Sequence, residues 1–346
     1  MRIALVSNDF WPIFDNAQTS AGGGIEGCVE SLVRGMVTRK IDFTLICPKR
    51  LNPITCEFEI IETESQPCCL QNPSNYISNV YDILKTIKPK IIWAQSNWSQ
   101  NFSDIGKTIS FIHDGHLTRP ANFLVDKPNS YIRYLSYAQK NNLCKYNWEK
   151  EKSFVCYTGL PEEEFINYPY SEKSYLLWVG SLFYGINAKG LLDFIELSKR
   201  NQDKQFIAYG IGETNIIDYI LQITKNIPNF QWRGKLNRGK EHQDVFGKAK
   251  FFCQFSHLAE CAPRVICESM SKSTGVLALK NNGASEELVS NQITTQKTIN
   301  ELENFINLNY NSLETFNYAK SKFHINQEID TLIQQSESIL TNGRLL

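Results

Sequence analysis

Short apolar runs alternate with amphipathic stretches along this chain, and the alternation runs through twice. Ile3–Val6, Phe43–Cys47, Ile91–Ala94, Thr108–Ile112 and Ser153–Tyr157 read as strands. Ile25–Val37, Tyr76–Thr86 and Tyr131–Gln139 carry helical spacing. A turn-rich, charged break follows, from Thr158 through Glu162-Glu-Glu164 to Ser171. The alternation then restarts, with strands at Tyr175–Val179, Gln205–Tyr209, Asn229–Trp232, Ala249–Gln254 and Val276–Leu279. Helices at Gly190–Lys199, Asn215–Ile223, His242–Phe246 and Pro263–Lys272 are expected between them. Strand–helix alternation builds parallel sheets covered on both faces. The fold class is therefore α/β, with two doubly wound parallel-sheet domains facing a cleft. The expected division is residues 1–165, residues 166–325 and an amphipathic helix over 326–346.

A length of 346 residues fits two domains of ordinary size. Lysine plus arginine and aspartate plus glutamate both number 36, so no whole-protein field draws in a polyanion. The ten cysteines form no C-x-x-C pair and read as reduced thiols. The apolar run at the N-terminus is too short for a secretory h-region, and no stretch approaches 18 apolar residues. A cytoplasmic location is expected, with a peripheral position at a membrane as the second option.

Ligands of open parallel sheets bind at the carboxyl ends of the strands, and the unusual residues of this chain fall there. Gly22-Gly23-Gly24 precedes the first helix, where glycine lets backbone amides approach a ligand closely. It is not a G-x-G-x-x-G fingerprint, and Cys47-Pro48-Lys49 places no acid after the second strand, which counts against NAD. His113 closes a strand beside Asp114 and Gly115; no third ligand stands near His113 and His116 at metal spacing, so no metal is expected. Gly180-Ser181 ends the first strand of the second half, and Lys189 stands at the start of the next helix. A lysine there opposes the helix dipole unless an anion is present; a solvated lysine is the plain alternative. Gly210 ends another strand. Glu260 and Glu268 lie eight residues apart, the first after a strand and the second along a helix. Eight helical residues span roughly 12 Å, about the distance from sugar to ribose in a sugar nucleotide.

This ordered set resembles the GT-B glycosyltransferases of family four (glycosyl transferases group 1). The resemblance rests on G-G-G-I-E near the start, H-D-G at 113–115, V-G-S with K-G-L at 189–191, Y-G-I-G-E at 209–213, and E-x₇-E followed by N-G-A-S-E-E-L-V at 282–289. It implies two Rossmann-like domains, an acceptor side first and a nucleotide-sugar side second, with a final helix returning to the first. It also implies site roles. Gly23 and Gly24 offer amides near the diphosphate or acceptor, and His113 sits by the donor sugar. Gly180, Ser181 and Gly210 line the donor site. Lys189 pairs with the diphosphate, Glu260 takes the sugar hydroxyls and Glu268 holds the ribose. The amides of Arg264 and Val265 face phosphate. Relatives of this kind often carry arginine where this chain has Ser181, so Arg264 or another residue is expected to supply that cation.

The implied activity is retaining transfer from a nucleotide-diphosphate sugar, a UDP-sugar by default, to a hydroxyl acceptor. It needs no metal and no cofactor, and His113, Glu260 and Lys189 are the catalytic candidates. Three alternatives stay open: modified-base DNA as acceptor, a nucleotide-sugar epimerase, and a non-catalytic sugar-nucleotide binding protein. Residues 119–152 interleave Lys and Arg with Phe, Tyr and Trp, a pattern that suits nucleic acid or an anionic lipid surface. A solvated face over a core is the plain reading of that segment.

Overall fold

The computed structural model describes residues 1–7, 24–50, 53–64, 73–95, 102–113, 125–280, 283–289, 295–296 and 298–346. They form two units, one of 1–161 with 325–346 and one of 162–324. The divisions fall at 161/162 and 324/325, a few residues before the expected 165/166 and 325/326.

In unit 1 the elements run β1 (Ile3–Val6), α1 (Gly24–Thr38), β2 (Phe43–Cys47), β3 (Glu59–Glu62), α2 (Pro73–Ile87), β4 (Ile91–Ala94), β5 (Lys107–Phe111), β6 (Ser130–Tyr134), α3 (Tyr137–Leu143), α4 (Asn147–Glu151) and β7 (Ser153–Val155). The strands make one parallel sheet in the order β3-β2-β1-β4-β5-β6-β7. Its central strands are buried on both faces, which explains their unbroken apolar sequences. Ile3 and Leu5 pack on Val29, Leu32 and Met36 of α1, while Ala4 and Val6 face Tyr76, Val80 and Leu84 of α2.

Unit 2 repeats the plan. It contains β8 (Tyr175–Ser181), α5 (Leu191–Arg200), β9 (Gln205–Ile211), α6 (Thr214–Thr224), β10 (Phe230–Trp232), α7 (Lys240–Gly247), β11 (Ala249–Gln254), α8 (Arg264–Met270), β12 (Gly275–Leu279), α9 (Ser285–Val289), β13 (Thr295–Gln296), α10 (Ile299–Glu303) and α11 (Ser312–Phe323). The sheet order is β10-β9-β8-β11-β12-β13, again parallel. In each sheet the order reverses beside its first strand, at β1/β4 and at β8/β11. Such reversal points open the crevices in which ligands of α/β sheets bind.

The last helix, α12 (Ile325–Asn342), belongs to unit 1. Ile325, Ile329, Leu332 and Ile339 join the core that holds α1. A buried ion pair fastens it. Arg133 of β6 and Glu328 of α12 approach to 2.7 Å, with side chains 2% and 1% exposed. Glu328 Oε2 also accepts from the Gly159 amide at 2.6 Å. The guanidinium donates to the Cys156 and Tyr157 carbonyls and lies 4.5 Å from the centre of the Phe111 ring. Burial works against the Arg133 cation, but Glu328 together with Cys156 and Cys28 outweighs it, so the group stays charged.

The structure corrects the helix expected at Tyr131–Gln139. Ser130–Tyr134 is instead strand β6, buried along its whole length between β5 and β7, and the helix starts only after it. Tyrosine and isoleucine favour such a strand, and Ser136 caps α3 by accepting from the Gln139 amide at 3.0 Å. The edge strand β3 was not expected either. Its glutamates break the apolar run, yet both are held, Glu59 by Arg2 at 2.6 Å and Glu62 by Arg50 at 2.7 Å. Charge on an edge strand also discourages pairing with another chain.

Candidate functional site

The carboxyl end of β8 brings the first candidates together. Gly180 pairs with Gly210 of β9 across the sheet. A Cβ on Gly210 would stand 2.6 Å from the Gly180 carbonyl oxygen and 2.8 Å from the Trp232 ring, so the close approach of strand and ring requires glycine there. Trp178 donates from its indole to the Lys189 carbonyl at 2.9 Å, tying the loop back to its own strand. Gly190 then caps α5 with φ of 74°, and a Cβ would fall 2.0 Å from the Phe255 carbonyl oxygen. This left-handed residue aims Lys189 at the strand ends.

Lys189 Nζ meets Glu260 Oε2 at 2.9 Å, with the two side chains 20% and 15% exposed. Gln254, the last residue of β11, donates to the other carboxylate oxygen of Glu260 at 2.7 Å. The Ala284 amide holds the Glu260 carbonyl at 2.9 Å. Lysine, glutamate and glutamine thus converge where the sheet order reverses, each on a different loop or strand end. Ser181 lies at the end of β8, half-buried, and its hydroxyl accepts from the Phe183 amide at 3.4 Å.

The second carboxylate sits deeper. Glu268 on α8 is buried, and Arg264 one turn earlier donates to it at 2.8 Å. His242 of α7 stands 3.5 Å from the other oxygen. Burial raises the Glu268 pKa, but His242, Arg264 and Arg238 together hold it well below the usual carboxylate range. Pro263 precedes α8 as its cap rather than opening it as the first helical residue. Val265 lies in the first turn of α8, and its carbonyl accepts from the Ser269 hydroxyl at 2.6 Å.

In unit 1, Gly24 is the exposed first residue of α1, and Gly23 lies outside the described residues. His113 follows β5, half-buried, with Nε2 2.5 Å from Gln95 Oε1. Burial, helped by the Arg133 cation, pushes its pKa down to about 3, so the imidazole is neutral. Of the basic and aromatic segment 119–152, residues 119–124 lie outside the described residues, and the rest divides between buried and exposed members, with Lys145 and Lys150 exposed. Tyr131, Arg133 and Tyr134 are buried, Lys152 pairs with Asp126 at 2.6 Å and Lys140 donates to the Ser153 carbonyl at 2.7 Å. The expected DNA- or lipid-facing surface loses those members to the sheet and its edges, while Tyr137 and Tyr146 remain exposed. Among the described residues no His, Cys, Asp and Glu group has the makings of a metal site. Among them, too, no helix is long and apolar enough to cross a membrane.

Three partners were absent from the sequence reading: Gln254, His242 and Gln95. Gln254 and Gln95 carried a signal, each a polar residue ending or directly following a buried apolar run. His242 carried none, because its position opposite Glu268 depends on how α7 packs beside α8.

No protein-family profile matches the chain, and no curated protein does. Solved structures do. AviGT4, a glycosyltransferase involved in avilamycin A biosynthesis, superposes with a TM-score of 0.73 at 16% identity, covering 100% of both chains. Both chains have the GT-B fold. Anabaena Alr3699/HepE, in complex with UDP and glucose, matches at a TM-score of 0.71 and 15% identity, covering 98% of this chain and 100% of its own. Sucrose-phosphate synthase from Thermosynechococcus elongatus gives 0.73 at 14% identity, covering 98% and 99%. This GT-B chain therefore places Lys189 and Glu260 at the reversal point of its second sheet.

Proposed function

We propose that the protein is a retaining glycosyltransferase that uses a nucleotide-diphosphate sugar. The observation that carries this reading is the Lys189–Glu260–Gln254 constellation at the β8/β11 strand ends of a GT-B fold. The complex of HepE with UDP and glucose supports a UDP-sugar as the donor to try first. A partly exposed lysine can exchange its carboxylate partner for the diphosphate without desolvating a new charge. In that position it stabilises the negative charge that grows on the leaving group. Glu260, held from the far side by Gln254, then turns an oxygen to the sugar hydroxyls. Glu268, fixed by Arg264 and His242, stays ionised and accepts from the ribose hydroxyls.

The transfer breaks the bond between the anomeric carbon and the phosphate oxygen, and its electron pair stays on that oxygen. The acceptor hydroxyl attacks the same face, and its proton passes to the departing phosphate. Cations of the chain itself stabilise the leaving group, so the proposed reaction uses no metal and no cofactor. The acceptor is assigned to unit 1, and His113 is the candidate that sits by the donor sugar.

Glu260→Gln keeps size and hydrogen bonding and removes the charge. UDP release from UDP-glucose should fall about 10²–10³-fold, the usual cost of one such polar group. Release at the parental rate from a folded variant would overturn the assignment.

A further inference from the structure

Beside His113 stands a side chain that the functional reading leaves without a task. Gln95 follows β4 directly and is 3% exposed. Its backbone amide donates to the Val6 carbonyl at 3.2 Å, which fixes it on the β1/β4 reversal point. Its amide oxygen lies 2.5 Å from His113 Nε2. Its amide nitrogen is buried and has no hydrogen-bond partner among the described residues. A buried donor left bare costs free energy, so native structures satisfy such groups with protein, water or ligand.

The chemistry around it narrows the choice of ligand. The imidazole is neutral, because burial and Arg133 keep it from protonating. Its Nε2–H therefore donates to Gln95, which fixes the tautomer and leaves Nδ1 as the nitrogen with the lone pair. Arg133 spends its charge on Glu328. Among the described residues, the strand-end edge thus offers a neutral donor and a neutral acceptor and no compensating charge. From those residues an anion would draw no cation, and a cation no carboxylate. A hydroxyl, which both donates and accepts, suits both groups.

We propose that Gln95 binds a sugar, its amide oxygen positioning the His113 ring and its amide nitrogen donating to a sugar hydroxyl. The inference rests on the glycosyltransferase reading and adds a residue to it. The hydroxyl comes from the sugar being transferred or from the sugar receiving it; the chemistry is the same, and the experiment separates them.

The full-length wild type, Gln95→Leu and Gln95→Glu are compared by calorimetry with UDP and with UDP-glucose. UDP release from UDP-glucose is followed against pH, with and without simple glycosides as acceptors. Gln95→Leu should bind UDP as the wild type does and lose about tenfold or more where the hydroxyl is recognised, since a site built to bond a hydroxyl suffers when its partner is removed. A loss in UDP-glucose affinity assigns the transferred sugar. A loss confined to glycoside-stimulated release assigns the receiving sugar. Gln95→Glu sets a carboxylate against the imidazole and raises its pKa, so a new acid limb should enter the pH profile. Unchanged sugar affinity and release, an equal loss in UDP affinity, or a Glu variant with the parental pH profile would each overturn the proposal. A wild type that releases no UDP sinks the glycosyltransferase reading and this inference together; an active wild type beside an indifferent pair of variants sinks the inference alone.

Discussion

The two sheets share a winding plan and use charge in opposite ways. In unit 2 a charged pair stands part-exposed at the strand ends, Lys189 with Glu260, beside a deeper pair on α8, Arg264 with Glu268. In unit 1 the strand-end edge carries the neutral Gln95–His113 pair, and the strong ion pair, Arg133–Glu328, is sealed inside. A part-exposed pair can trade its partner for a ligand. The pair sealed between β6 and α12 serves the fold. The same two residue types, one cation and one carboxylate, therefore mean different things according to depth.

The largest effect should come from breaking the sealed pair. Glu328→Gln leaves the Arg133 cation buried without compensation, at a cost of about 3–5 kcal/mol. Thermal denaturation should show unit 1 melting earlier, with unit 2 holding its own transition. An unchanged melting curve would mean that Arg133 finds another partner and that depth is a poor guide. Removing the cation of the part-exposed pair should do the reverse. Lys189→Ala is expected to cut UDP release by about 10²–10³-fold and to lower the melting temperature less than Glu328→Gln does, because Glu260 keeps 15% of its side chain in solvent and its bond to Gln254. Unaltered turnover would erase the contrast from the functional side.

A smaller test concerns a lysine of unit 2 that lies far from the strand-end charges in its bonding. Lys173 donates to the Gly247 and Lys272 carbonyls and to the Thr274 hydroxyl, and burial pushes its pKa down to about 7. The unfolded chain restores the ordinary value of about 10.4 and so binds more protons between the two values. Stability should therefore rise as pH increases through that window, by a few degrees of melting temperature between about pH 7 and 9. Lys173→Met should flatten the slope whatever its baseline stability. A slope that persists in the variant would place its origin in another group.

Much of the fold was legible because parallel strands buried on both faces read as unbroken apolar runs. β1, β2, β4 and β11 match their expected spans end to end. Where polar residues enter a buried strand the signal fails, as at Arg133 in β6, whose charge is answered by Glu328 from a distant helix. The edge strand Glu59–Glu62 fails because its two glutamates leave an apolar run of only two residues. At the site, residue types were legible and their partners were not. Glu260 and Lys189 stood out at strand ends, yet nothing in the sequence says that they meet each other. Arg264 is expected to face phosphate through its amide, and its side chain donates to Glu268 one turn along the helix. Such pairings are set by how loops after β8 and β11 converge, which no local period records. The interleaved aromatics of 119–152 could not be sorted by sequence, because tyrosine serves a buried sheet, as at Tyr131 and Tyr134, as readily as an exposed face, as at Tyr137 and Tyr146.

The return of α12 to unit 1 bears on how the protein is made. Unit 2 is continuous in the chain and has every strand of its sheet once residue 324 has left the ribosome. The first sheet emerges earlier, yet it must wait, because the helix that covers α1 and neutralises Arg133 is synthesised after all of unit 2. Domains that emerge whole fold as they appear, so the second half is expected to mature before the first. During that interval Arg133 is an unanswered cation, and the face that α12 will cover is open apolar surface awaiting that helix.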